Sequence, residues 1–525
     1  MKAKKAAALL LACVLLLTLF SGCSKRTSTS GKMHYDLSAE PVNLDPQTAS
    51  DLSSMTVINQ IFEPLFTLDQ NGEIVPAAAE RYTVSAGGTQ YQILLRSGMK
   101  WQNGDFVDAD DYAFGLQRVL LAETQSPYAA QFYGITNAKA FHDGKVDFSE
   151  VGVEANGLYL TITLTEPDEY FLNLLSSTAA MPCQKRFFES TKGKYGLEAN
   201  ATLANGPFYL QTWAHDQYLK LTRNVNYRDS ENVKIAGVTM WTNNTENREE
   251  TFWKGNTHAC YVDGRSYAAR DTTGYTADAI SNTVYGVVFS RQSEALQNTN
   301  IRKALALLFD RSSYAAELPV YLTVTDRAFA SDCAVNAKPY VSAAKEAVFD
   351  AEKAVELYQK GLNELGVNGL SGLKIVVLED ENLPNGDYFL KLSQNYQKYL
   401  DLYIGITRLP AEEYEQAIKS GEYDLAIVPV VAEDLSPLSM LEDFASGSFA
   451  CADAEFSSQY RKLKNGSGDT LKILQQEERI LLENGWFIPM YERSSYFVCG
   501  KNTSGITYNS YTGLVSFRYA AYLDE

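Results

Sequence analysis

The chain has 525 residues, 45% of them hydrophobic, which is too long for one core and calls for a folded protein of two or three domains. Its formal charge of −18 repels polyanions and argues against nucleic acid as a partner. The same acidity disfavours lying flat on anionic lipid, so any membrane contact falls to a tether.

In chain order, Lys2, Lys4 and Lys5 precede an apolar run from Ala6 to Phe20 and then Ser21-Gly22-Cys23. This is the layout of a secretory signal peptide, and the run is shorter than the ~20 apolar residues a membrane-spanning helix needs. Ser24 to Lys32 is polar and reads as a flexible tether. Tyr91 to Arg96 alternates as a strand with Tyr91, Ile93 and Leu95 on one face. Asn103-Gly104 marks a turn. Asp108, with Asp111 three residues on, starts a helix whose buried stripe is Tyr112, Leu116, Val119 and Leu120. Further helices follow Thr299-Asn300 (Ile301, Ala304, Leu305, Leu308 inward) and start at Asp350 (Ala354, Leu357, Tyr358 inward). A last one carries Leu474 and Leu481 before Asn484-Gly485. Strands and helices alternate, so the chain reads as α/β. Cys13 leaves with the signal. Beyond Cys23, the cysteines at 183, 260, 333, 451 and 499 are odd in number and widely spaced, and buried free thiols are expected.

Small residues directly before Cys23 resemble the lipobox of bacterial lipoproteins, in which the cysteine is the lipidated first residue of the mature chain. Phe20 stands where that motif prefers an aliphatic residue. A longer set of landmarks is similar to the extracellular solute-binding proteins of family 5. These are Glu40-Pro41-Val42-Asn43-Leu44-Asp45-Pro46, Ile61-Phe62-Glu63-Pro64-Leu65, and Gly72 to Glu80. Leu95 to Trp101 follows, with Asn103-Gly104-Asp105 running into Ala109-Asp110-Asp111. Ser126-Pro127-Tyr128-Ala129 and Asn137 to Phe141 resemble the oligopeptide branch in particular. Asn205-Gly206-Pro207-Phe208-Tyr209, Arg223 to Tyr227, Arg302 to Leu305, Phe487 to Tyr491 and Phe517-Arg518-Tyr519 continue the match to the end.

The resemblance implies a bilobed periplasmic-binding-protein-like fold (type II, cluster C) with an extra small domain in the first lobe. Residues 1–22 would be the signal peptide and 23–33 the lipidated tether. Lobe 1 would take 34–59, 186–275 and 491–525, with the extra domain at 60–185, and lobe 2 would take 276–490. Function would be capture of oligopeptides between the lobes and delivery to the permease of an ABC importer, by a monomer anchored outside the cell membrane through Cys23. No cofactor, metal or nucleic acid is expected.

A receptor for many peptide sequences has to grip what all peptides share, the main chain and the charged ends. Val430, Val431 and Ala432 would supply one pairing edge, and Ser50 to Ser54, with Ser53 and Ser54 among them, the other. The family anchors the ligand ammonium on an acid shortly before a proline. Counting back from Pro437 selects Glu433, and a shift of one selects Asp434. Val430 stands where the family has a tryptophan, which removes a stacking wall. Tyr128 aligns with a ligand-facing tyrosine of the branch, and Asn205, beside Gly206-Pro207, is a further candidate.

An enzyme is the first rival. There is no HExxH, no GxSxG and no phosphate-binding glycine loop, and His34, His142, His215 and His258 are scattered. The same fold also serves dipeptides, nickel chelates, haem or oligosaccharides, and a tethered peptide-signal receptor would read alike.

Overall fold

The computed structural model describes residues 27–28 and 31–523, apart from 38, 70–72, 169, 244–246, 336–337, 346–347, 381–382, 433–435, 446, 448, 450, 466–467 and 511. The chain begins with β1 (Thr27–Ser28) and β2 (Lys32–Asp36), and a loop then leads to α1 (Leu52–Ile61). A four-stranded antiparallel sheet follows from β3 (Ala79–Val84), β4 (Gln90–Leu95), β5 (Val153–Asn156) and β6 (Tyr159–Thr163), in the order β3-β4-β6-β5. Tyr91, Ile93 and Leu95 are its buried face, as the alternation predicts. Helix α2 (Ala109–Leu120) crosses it. Asp108 accepts from the Asp110 and Asp111 amides, and Asp111 reaches back to the Asp108 N–H, so the expected capping box is formed. Trp101 Nε1 donates to the same Asp111 carboxylate at 2.8 Å.

A second four-stranded sheet uses β7 (Phe208–Ala214), β8 (Tyr218–Arg223) and β9 (Gly237–Trp241), with β2 pairing β9 in parallel at its edge. Both sheets feed one continuous core, in which Leu44, Phe62, Trp101, Tyr112 and Phe208 are wholly or nearly buried. The segment expected as an extra domain therefore shares its core with the rest of the first lobe.

After β10 (Ala259–Val262), the 14-residue β11 (Thr276–Phe289) carries the chain into a second lobe. That lobe is built from α3 (Thr299–Leu307), β12 (Leu322–Val324), α4 (Ala351–Leu365), β13 (Leu373–Leu378), α5 (Asn385–Leu400), β14 (Ile404–Leu409), β15 (Leu425–Val431) and α6 (Thr470–Glu483). The 13-residue β16 (Phe487–Cys499) returns to the first lobe. The tail adds β17 (Thr503–Ser504) and β18 (Ala521–Leu523), which form a small sheet with β1 in the order β1-β18-β17. The large sheet has the order β10-β16-β11-β15-β13-β14, with β12 also on β16. Helices α3, α4 and α5 cover one face around Phe389 and Leu305, while α6 and its neighbours cover the other around Phe456 and Leu481. The helices after Asn298, Asp350 and Asp469 bury the predicted stripes, except that Leu357 is only half-buried. The five cysteines at 183, 260, 333, 451 and 499 are free and buried.

The strands β11 and β16 are antiparallel neighbours along nearly their whole length. Ile280 and Phe497 belong to the first core, and Tyr285 and Tyr491 to the second. The two crossings thus form a single ribbon beside the borders expected at 275/276 and 490/491. Its register shifts at Ser281/Thr283 and again at Tyr285/Gly286, bulges that add local twist. Ser331 donates through both N–H and Oγ to Glu492, and the Ser281 N–H donates to Asp332, so the 331–332 loop straps the ribbon. At Gly286 a Cβ would stand 2.4 Å from the Phe487 ring and 2.7 Å from the Ile488 carbonyl. Gly286→Ala is therefore expected to lower stability by about 1–3 kcal/mol through overpacking. Denaturant unfolding checks this, and a variant as stable as the parent would show that the ribbon gives way at no cost.

Candidate ligand-binding cleft

The first of the two expected walls is the lip from Glu40 to Asp51 and the start of α1. Asp51 caps the helix by accepting the Ser54 N–H at 2.9 Å. Ser53 and Ser54 therefore lie in a helical turn, not in the extended edge expected over 50–54. Their hydroxyls accept the Ala39 and Val42 amides at 3.2 and 3.0 Å, and both side chains are buried. Small hydroxyl residues suit the start of a helix, and the local capping chemistry overrides the strand reading. Tyr128 is half-buried and donates its OH to the Ala49 carbonyl at 2.7 Å, while Ser126 Oγ donates to the Gln47 carbonyl at 2.6 Å. Below them Arg118 grips Asp45 through two hydrogen bonds of 2.9 and 2.6 Å and stacks on Phe188 at 4.1 Å. The lip is thus held from behind at several points.

Asn205 is 4% exposed, and its Oδ1 accepts the Glu63 N–H at 3.0 Å. It serves the chain's own backbone, and it fixes Glu63, which sequence reasoning passed over. The Glu63 carboxylate receives Arg228 Nη2 at 2.7 Å, Arg228 Nε at 2.9 Å and the Tyr227 OH at 2.8 Å. Arg518 stands 3.5 Å from Glu63 and 3.7 Å from Asp229. The charges of this cluster balance, and its two guanidinium groups, each about one-fifth exposed, line the cleft. Arg518 and Tyr227 sit inside matched motifs. Their meeting joins positions 63, 228 and 518, which no local pattern foretells.

The second expected wall is the end of β15. Val430 is 1% exposed and points into the second lobe's core, so its side chain does not face a ligand. The stacking wall expected to be lost here is therefore not a matter of this side chain's size. Val431 is 40% exposed, and Ala432 is buried with its N–H bonded to the Asn282 carbonyl at 2.8 Å. The neighbouring β13 pairs with β15 only at Leu425 and Ala426, after which the two parallel strands part. Because backbone groups alternate sides along an antiparallel pair, the Val431 N–H and C=O point away from β11, to the side β13 has left. Pro429, on the same alternation, has no N–H to leave unpaired there. Glu433 and Asp434 lie outside the described residues.

A cavity of about 870 Å³ lies between the lobes, and its lining includes none of Ser50 to Ser54, Tyr128, Asn205 or Val430 to Ala432. The first lobe contributes Phe62, Glu63, Arg228 and Arg518, and the second Val335, Ser436 and Leu474. Ser436 follows shortly after the two candidate acids. A smaller hollow of about 380 Å³ lies at the ends of β13 and β14, beside Tyr321, Asp380 and Arg408. Ligand sites of open α/β sheets fall at such strand ends, and the larger volume is within the usual 300–1,000 Å³ range. Among the described residues, no three His, Cys, Asp or Glu side chains cluster as metal ligands.

Two α/β lobes joined by one ribbon, with a cavity walled by both, define a solute-binding protein of the bilobed periplasmic type. The chain belongs to the bacterial extracellular solute-binding proteins, family 5, whose model matches residues 73–450. It is a family of binders that work outside the cytoplasm, not of enzymes. The oligopeptide-binding protein OppA of Bacillus subtilis is 28% identical over 93% of this chain and 92% of its own length. Listeria monocytogenes OppA bound to peptide superposes with a TM-score of 0.58 at 22% identity, over 95% of this chain and all of that one. The unliganded open form of the murein tripeptide-binding protein MppA reaches 0.69 at 21% identity, over 96% and 99%.

Proposed function

We propose that this protein captures oligopeptides between its lobes and hands them to the permease of an ABC importer, working as a monomer held to the cell membrane by acyl chains on Cys23. The observation that carries the reading is the parting of β13 from β15, which leaves the exposed Val431 offering a backbone donor and acceptor. A peptide main chain is the ligand that such an edge fits, by adding a strand. Glu433 or Asp434, two or three residues beyond Val431, is the anchor for the ligand ammonium, which needs a carboxylate once water is shut out. The loop at Ser50 and the Tyr128 that supports it form the facing wall, and Asn205 acts only through Glu63. The relatives named above, described as oligopeptide- and peptide-binding proteins, support the same ligand class.

Peptides of three to five residues are expected to raise the melting temperature. The gain is ~2.7 kcal/mol when ligand stands at 100 times its dissociation constant. Acetylating the peptide amine, or Glu433→Gln or Asp434→Asn, should weaken binding by ~1.5 kcal/mol or more. Mass spectrometry of ligand released from freshly purified, denatured protein gives the independent check. A flat response to peptides, with a shift for a metal chelate or a sugar, overturns the assignment. Unchanged binding by both acid variants moves the amine anchor elsewhere.

A further inference from the structure

The polar stretch after Cys23 reads as a flexible leash, yet it is engaged almost from its start. Thr27 pairs with Leu523 and Ser28 with Tyr522 in β1-β18. The Gly31 carbonyl accepts the Ala236 N–H at 2.9 Å. The Tyr522 ring lies so close to Gly31 that a Cβ there would be 2.1 Å from it. The Tyr522 OH donates to the Lys32 carbonyl at 2.8 Å and meets His258 Nε2 at 2.8 Å. On the far side of β18, the Leu523 N–H donates to the Asn502 carbonyl at 2.7 Å, next to exposed Lys501.

Covalent reach then sets a limit. Three residues separate Cys23 from Thr27, so four Cα–Cα steps span at most ~14 Å when fully extended. A leash free as far as Met33 would span up to ~35 Å. The polar headgroup layer is itself roughly 5–8 Å deep. Thr27 therefore stands no more than ~10 Å beyond the headgroups once the acyl chains are inserted.

We propose that the β1-β18-β17 face of the first lobe, with the Lys501 turn, is a membrane-resting surface, so that the protein stands on the bilayer in one orientation. The proposal rests on the lipid-anchor reading of Cys23. Lys32 and Lys501 are exposed at this face, in a chain whose formal charge is −18. Charge here does not oppose an anionic surface as the rest of the molecule does, and basic residues close to such a surface are mildly attracted. Strand β2 runs from this face toward the loop that forms the cleft lip, so the lip stands at the strand's other end, away from lipid.

The test uses the full chain, exported with its own leader and reconstituted in phosphatidylglycerol–phosphatidylethanolamine vesicles carrying headgroup nitroxide lipids. A fluorophore is placed at Lys501→Cys or, for comparison, at Lys145→Cys in the first lobe's other sheet region. The five cysteines at 183, 260, 333, 451 and 499 are buried and take no label. The label at 501 is expected to be quenched several-fold more than at 145. A twelve-residue Gly-Ser insert between Arg26 and Thr27 should abolish that contrast. Equal quenching at the two sites, or indifference to the insert, overturns the docked face. Intact mass on the same samples reports the diacylglycerol adduct. If the adduct is missing, the anchor reading falls and takes the proposal with it, whereas an adduct with equal quenching refutes the orientation alone.

Discussion

Arg118→Leu is expected to cost the fold about 3–5 kcal/mol, because it strands a buried carboxylate. Asp45 and Arg118 are 6% and 5% exposed and bonded to each other through both oxygens and both terminal nitrogens. Burial lowers the arginine's proton affinity, but the Asp45 carboxylate more than offsets it, and the guanidinium stays charged. Arg118 also donates to Gln47 Oε1 at 2.6 Å, so one side chain secures two residues of the lip. Removing it leaves the buried Asp45 without its counter-ion. Asp45→Asn should cost a similar amount by leaving the cation. Replacing both with apolar residues should recover much of the loss, since the pair's own desolvation disappears with it. Denaturant unfolding of the two single variants and the double variant checks this. A single-variant loss below ~1 kcal/mol would show that the pair is better hydrated than its exposure indicates. Because the same guanidinium braces Asp45 and Gln47, peptide affinity should fall in any single variant that stays folded.

Glu477→Leu is expected to act in the opposite direction and raise stability at pH 8 by an amount on the order of 3 kcal/mol. Glu477 lies on α6, is fully buried, and neither carboxylate oxygen has a hydrogen-bond partner among the described residues. Burial, with Asp453 adding repulsion, pushes its pKa up to about 8, and the Tyr460 backbone opposes this only weakly. The folded state therefore holds a proton that the unfolded state, with an ordinary carboxyl near 4.5, has released. The folded protein binds more protons across that window, so stability rises as pH falls from about 8 toward 4.5. Asp111, which burial pushes to about 7, adds in the same sense. His34 and His258 oppose it below 6.5, since burial lowers both in the folded state and the unfolded chain takes up their protons first as pH falls through that value. The clean window is thus pH 8 to 6.5. The parent should gain stability across it, and Glu477→Leu should be more stable at pH 8 and flatter. A parent that loses stability on going from pH 8 to 6.5, or a leucine variant weaker than the parent at pH 8, contradicts the assignment.

What the sequence disclosed was what neighbours in the chain decide. The Asp108–Asp111 box, the Tyr91-Ile93-Leu95 face and the stripe of Ile301, Ala304 and Leu305 all depend on residues within a few positions. The ordered landmarks from Glu40 to Tyr519 conveyed the architecture. Geometry that joins distant segments was not disclosed. Nothing near Val430 says that its side chain turns inward, because that depends on which face of β15 the helices cover. Ser53 and Ser54 sit beside Asp51, and the capping acid rather than the aligned edge sets their conformation. The cluster of Glu63, Arg228 and Arg518, and the seating of Thr27 and Ser28 on the far terminus, arise only once the chain has folded.

The paired β11 and β16 carry a mechanical consequence. A two-stranded ribbon is compliant to flexing across its flat side and stiff to shear within its plane, because sliding one strand past the other breaks the ladder between them. Two separate connecting peptides would let the lobes wander in several directions, whereas one laced strip leaves essentially a single angle to vary. The Ala432 bond to Asn282 fixes the end of β15 to that strip at its bulge. Any swing of the lobes would therefore carry Val431 along one arc, and a peptide at the edge proposed for it would meet that edge in the same place each time.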